Sequence, residues 1–83
     1  MSEYSNRRNI KLDSVDDVEE FVSAAEKCDF TINVCRNQYH FVVDGKSLMG
    51  MLAIFAGGIL DVVYDGENAV FDRMLEKFQC VAA

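Results

Sequence analysis

The 83-residue chain has no proline, one histidine, three cysteines, and only 8 lysines and arginines against 14 acidic residues. Each shortage removes a class of answers. With no proline, low-complexity segment or internal repeat, nothing reads as a linker, so residues 1–83 are expected to form a single domain. A chain this short buries only roughly 60% of the surface its unfolded form exposes, which leaves material for one shared core. Cys28, Cys35 and Cys80 are odd in number and widely spaced, a pattern that fits neither a disulfide framework nor zinc-ligand pairs. They are read as reduced packing residues, and no metal or other cofactor is expected. A net charge of −6 opposes contact with nucleic acid or an anionic membrane. The one local basic patch, Arg7 and Arg8, is read as solvated strand charge. The longest mostly apolar run, Leu48 to Val63, is broken by glycines and too short to span a bilayer, and Met1 to Asn9 has no apolar signal segment. The expected location is the cytoplasm.

What is present is a globular composition, 51% hydrophobic and 27% charged, with clear changes of period. Ile10 and Leu12 alternate with polar neighbours as in a half-buried strand. Asp13 or Ser14 then caps a helix in which Val15, Val18, Phe21, Val22 and Ala25 recur at three- and four-residue spacing. Asp16, Asp17, Glu19 and Glu20 fill its first turns, where the helix dipole favours negative charge. After Cys28 the period falls to two. Phe30, Ile32 and Val34 share one face, Arg36-Asn37-Gln38 breaks the run, and Tyr39, Phe41 and Val43 share the next, which predicts a β-hairpin. Ser47 to Phe55 reads as a compact helix ended by Gly57 and Gly58. Leu60, Val62 and Tyr64 mark a strand, Asp65-Gly66 a turn, and Phe71, Met74, Leu75 and Phe78 the stripe of a last helix. The order βαββαβα implies an α+β domain, a four-stranded antiparallel sheet with helices on one face. The other face is expected to be wet, with Thr31, Asn33, His40 and Asp61 pointing outward.

Gly45-Lys46-Ser47 at the start of a helix suggests a nucleotide-binding loop, but the motif needs a glycine at position 40, which holds His40 within a predicted strand. Extended, the segment is more informative. Val43-Asp44-Gly45-Lys46-Ser47-Leu48-Met49-Gly50 resembles the stretch around the regulatory serine of the HPr family of bacterial phosphocarrier proteins. The order of elements and the Asp65-Gly66 turn extend the resemblance from Ile10 to Phe78. It implies an open-faced β-sandwich of four antiparallel strands and three helices, with Ser47 phosphorylated by a dedicated kinase. A serine at a helix N-terminus suits this, since unpaired N–H groups and the positive end of the dipole tolerate a phosphate. The plain alternative is an ordinary N-cap.

The resemblance also implies a phosphate-accepting histidine at the start of the first helix, closely followed by an arginine and a proline. Here that segment reads Leu12-Asp13-Ser14-Val15-Asp16-Asp17-Val18, which puts Ser14 or a neighbour at the histidine's place and Asp16 near the arginine's. Two carboxylates repel an incoming phosphoryl group, so histidine phosphotransfer is expected to be lost and no enzymatic activity is expected. His40 reads as a solvated strand residue, and the acidic run of the first helix as a solvated face without calcium-loop spacing.

The leading expectation is a regulatory HPr-like protein linked to the phosphoenolpyruvate-dependent sugar phosphotransferase system, similar to the histidine-lacking HPr homologues of catabolite repression. Lys46, Ser47, Leu48, Met49, Met51 and Phe55 are the expected partner-binding residues. Most of the apolar group Met49, Met51, Leu52 and Phe55 is expected in the core, with exposed members forming a docking patch. The partners implied are an HPr kinase/phosphorylase, a transcriptional regulator or phosphotransferase-system proteins. A phosphocarrier with a non-histidine acceptor and an unmodified interaction module stay open as alternatives.

Overall fold

The computed structural model describes residues 6–36, 41–56 and 58–80. The order is β1 (Asn6–Ile10), α1 (Val15–Glu26), β2 (Ile32–Arg36), β3 (Val42–Asp44), α2 (Leu48–Ile54), β4 (Leu60–Tyr64) and α3 (Ala69–Phe78). The strands form one sheet in the order β1-β4-β2-β3 with every neighbour antiparallel. This is the α+β arrangement expected from the pattern and the open-faced sandwich implied by the resemblance.

Local chemistry explains the elements. Ser14 caps α1, its Oγ accepting from the Asp17 N–H at 3.2 Å, while an Asp17 carboxylate oxygen accepts from the Asp13 N–H at 3.0 Å. This pair satisfies one N–H of the first turn, that of Asp17, and ties the residue before the cap to the helix. Asn68 caps α3 in the same way, its Oδ1 accepting from the Phe71 N–H at 3.0 Å. The buried stripes Val18, Phe21 and Val22 of α1 and Phe71, Met74 and Leu75 of α3 meet the sheet's inner face, where Ile10, Ile32, Val34, Leu60, Val62 and Tyr64 point. Phe71 sits edge-on to Phe21 (5.8 Å between ring centres) and Tyr64 (5.3 Å), and Phe30 stacks on Tyr64 at 5.7 Å. Edge-on pairs at this spacing add to the burial of the rings themselves.

The structure corrects several expectations. The first strand ends at Ile10, although Leu12 is buried. Beyond β1 the chain after α3 returns alongside it: the Lys11 N–H donates to the Phe78 carbonyl, the Cys80 N–H to the Asn9 carbonyl, and Ile10 bridges Gln79. Phe41 does not share Val43's inward face. β3 is a three-residue edge strand that begins after it, so Phe41 lies 58% exposed. Tyr39, His40 and Gly57 lie outside the described residues.

The most instructive correction is Asp61, expected in water and found only 5% exposed. β4 is an inner strand, so Asp61 is flanked by Asn9 on β1 and Cys35 on β2. The Arg7 guanidinium donates to its Oδ2 at 2.8 Å and the Asn9 side-chain amide donates to its Oδ1. A carboxylate can be covered when it is both paired and hydrogen-bonded. Arg7, read as solvated strand charge, is 69% exposed at its side chain and also forms half of that pair.

Candidate functional site

The candidate site is built around the start of α2. The Asp44 carboxylate accepts from the Lys46 N–H and the Asp44 carbonyl from the Ser47 N–H, both at 2.9 Å, closing a tight turn out of β3. Ser47 then caps α2, its Oγ accepting from the Gly50 N–H at 3.1 Å. Both glycines of the motif have packing reasons. A Cβ on Gly45 would lie 2.6 Å from Cγ2 of the buried Ile32, and one on Gly50 would lie 3.1 Å from Cβ of Val43. The Gly-Lys-Ser run is therefore a close crossing of a turn over β2, with no phosphate-cradling loop.

The resulting helix has no polar side chain: Leu48-Met49-Gly50-Met51-Leu52-Ala53-Ile54. A helix apolar all round is ordinarily enclosed, yet only one side of α2 is. Met51 and Ile54 are buried, while Leu48, Met49, Leu52 and Ala53 face solvent, Met49 at 83% exposure. Phe41 and Ala53 continue this surface into a small pocket with Arg36 and Ile54. Phe41 was missed as a surface residue because its alternation with Val43 suggested the core.

Met51 is corrected. It is fully buried, so no partner can touch it without opening the core. Phe55, the C-cap of α2, is half-buried against the core, and Ser47 is half-buried with its hydroxyl at the helix end. Lys46 is already engaged, its ammonium donating to the Cys28 carbonyl at 2.8 Å. That leaves Leu48, Met49, Leu52 and Ala53, with Phe41 and Val42 at the start of β3, as accessible apolar groups.

Lys46 and Leu48 also line a groove of about 250 Å³ against α1, whose facing residues include Glu19, Ser23 and Glu26. The surroundings of Ser47 on this side are thus acidic, with one committed cation. Ser14 and Asp16, at the far end of the sequence of α1, are exposed. The Ser14 hydroxyl is occupied as a cap, and Asp17 beside it belongs to the same cap. No basic residue lies in that first turn.

Of the cysteines expected to pack, Cys28 is in the core, while Cys35 and Cys80 are half-buried outside it. Burial pushes the Cys28 thiol above its ordinary pKa, and burial reinforced by the Asp61 carboxylate does the same at Cys35. Neither favours a reactive thiolate. Among the described residues no cluster of histidine, cysteine, aspartate or glutamate is arranged to hold a metal ion, and no helix is long and apolar enough to cross a membrane.

None of the family models or curated proteins compared matches this chain. Among solved structures, the crystal structure of the phosphocarrier protein HPr from Bacillus anthracis is similar, with a TM-score of 0.66 and 17% identity. The match covers 89% of this chain and 96% of that one, so the two share one fold over nearly their whole length.

Proposed function

With the HPr-like fold as premise, we propose that this protein is a regulatory binding protein linked to the sugar phosphotransferase system. It docks protein partners through the solvent face of α2 and is switched by phosphorylation of Ser47, without histidine phosphotransfer. The observation that carries this reading is the wholly apolar α2, which leaves Leu48, Met49 and Leu52 in water beside the hydroxyl that would take the phosphate. Methionine and leucine at such a surface adapt to a partner's shape and gain free energy when covered.

The electrostatics favour a partner that reads the phosphate. Phosphorylation adds roughly −1.5 to −2 charges, and Glu19 and Glu26 already line the groove that Lys46 and Leu48 share with α1. The Lys46 ammonium is held by the Cys28 carbonyl. The phosphate thus meets backbone N–H groups at its own helix end, while the adjacent Lys46 is already engaged. A partner supplying arginine gains both the phosphate and the apolar face. By the family resemblance, such partners are an HPr kinase/phosphorylase, a transcriptional regulator or phosphotransferase-system proteins in the cytoplasm.

Transfer through another acceptor is disfavoured because Ser14, the nearest hydroxyl to the family histidine's place, is a committed cap followed by Asp16 and Asp17. The test is intact-mass spectrometry of wild type and Ser47→Ala after incubation with ATP and an HPr kinase. One phosphate on wild type alone is the expected result. No phosphate on either protein overturns the switch and leaves an unmodified interaction module.

A further inference from the structure

α1 packs against α2 on one side and α3 on the other, and the α3 side carries a separate groove of about 430 Å³. Its floor is apolar: Met74 is buried beneath it, and Val70 is 63% exposed beside it. Its walls are cationic. Lys27 closes α1, while Arg73 and Lys77 project from α3, against a single carboxylate, Glu20. Lys77 is held by both oxygens of Glu20 at 2.9 and 3.0 Å. Lys27 and Arg73 make no ion pair among the described residues.

In a chain with 14 acidic and 8 basic residues, three cations against one carboxylate around an apolar floor is a local reversal of the protein's field. We infer that this groove is a second docking site, which takes a short acidic segment of a partner protein and seats one of its large apolar side chains on Val70. Lys27 and Arg73 pair with the segment's carboxylates. The net charge of −6 selects for shortness. Within a Debye length of about 8 Å at physiological salt the local cations govern the interaction, whereas a long polyanion also meets the repulsion of the whole molecule. Neither Ser47 nor any residue of α2 lines this groove, which meets the groove at Lys46 and Leu48 only at Ser23 of α1.

The test is titration of the full ¹⁵N-labelled chain with the peptide Asp-Glu-Leu-Glu-Asp, blocked at both ends, followed by amide shifts. Expected are shifts confined to the residues around Lys27 and from Val70 to Lys77, weakened severalfold by replacing the peptide's leucine with serine. Arg73→Glu combined with Lys27→Glu is expected to reduce affinity about tenfold or more, and added salt to reduce it in wild type. Both residues are exposed, so the variant keeps the fold, which the unperturbed spectrum verifies. The inference is overturned by no shifts up to about 1 mM peptide. Equal shifts with Lys-Lys-Leu-Lys-Lys, shifts on α2 instead, or occupation of the groove by a second copy of the chain before peptide is added also overturn it. None of these outcomes bears on phosphorylation of Ser47, which is read by mass.

Discussion

The two sides of α1 are built on one helix and are opposite in nearly every respect. Towards α2 the groove is acidic, with Glu19 and Glu26 facing a lysine that the backbone already holds. Towards α3 it is basic, with Lys27 and Arg73 unpaired among the described residues. The helices differ in the same sense. α3 has ten residues, a buried stripe of Phe71, Met74 and Leu75, and a charged outer face, so water and core together specify it. α2 has seven residues and no polar side chain. A helix of that length is unstable by itself, and α2 is held by its Ser47 cap and by Met51 and Ile54 in the core. On the α3 side the exposed groove is lined mainly by charge, with Val70 the one large apolar side chain in water. The α2 side presents an apolar surface that the fold leaves uncovered.

The largest effect that sharpens this contrast is expected in the core. Phe71→Ala removes the ring that meets Phe21, Tyr64 and Phe30 and is expected to cost about 3–5 kcal/mol in urea denaturation. Met51→Ala, the equivalent truncation on the α2 side, is expected to cost about 2–4 kcal/mol. A larger loss at Met51 than at Phe71 would break the picture of α3 as the principal anchor.

Next in size is an alkaline effect confined to the α3 side. The buried Tyr64 hydroxyl donates to Asp72 Oδ1 at 3.1 Å. Burial first, then the charge of Asp72 and this bond, push its pKa up to about 12 from 10. The folded state therefore keeps a proton that the unfolded chain releases. This contribution is complete below pH 10 and is lost as pH rises through 12. Its expected size is about 2–3 kcal/mol at one pKa unit per 1.36 kcal/mol. Stability against pH from 9 to 12 should fall less steeply in Tyr64→Phe than in wild type, and equal slopes would remove Tyr64 from the account.

Capping comes third. Ser14→Ala and Ser47→Ala each remove one hydroxyl acceptor from a helix start and should each cost about 1 kcal/mol. Amide exchange separates them further. The loss at Ser47 should open α2 alone, because so short a helix has little else to hold it; opening of α1 as well would refute its independence.

The smallest effect is the most telling for function. Met49→Ser should leave stability unchanged within about 0.5 kcal/mol, since the side chain is 83% exposed, while weakening partner capture by the α2 face. A stability loss at Met49 approaching that of Met51 would mean the face belongs to the core.

Much of this architecture was legible in the linear chain. The caps at Ser14 and Ser47, the buried stripes of the long helices apart from Val15, which is 50% exposed, the strand from Leu60 to Tyr64 and the βαββαβα order follow from residues a few positions apart. So does the turn that presents Ser47. The division of α2 was not legible, because a helix apolar on every side has no periodicity to say which residues meet the core. Met51 and Met49 are alike in type and opposite in fate.

What the sequence by itself determined is therefore the set of elements, their order and their starting points, which depend on short-range spacing, capping and charge against the helix dipole. Only the tertiary structure decided which apolar residues remain in water and which charges are hidden. Asp61 is paired in its buried place because Arg7 reaches it across 54 positions of sequence, and Lys77 meets Glu20 across the groove they both line, 57 positions apart. The environment of such a residue is set by what the sheet register and helix packing bring beside it, and those partners come from segments that local pattern cannot connect.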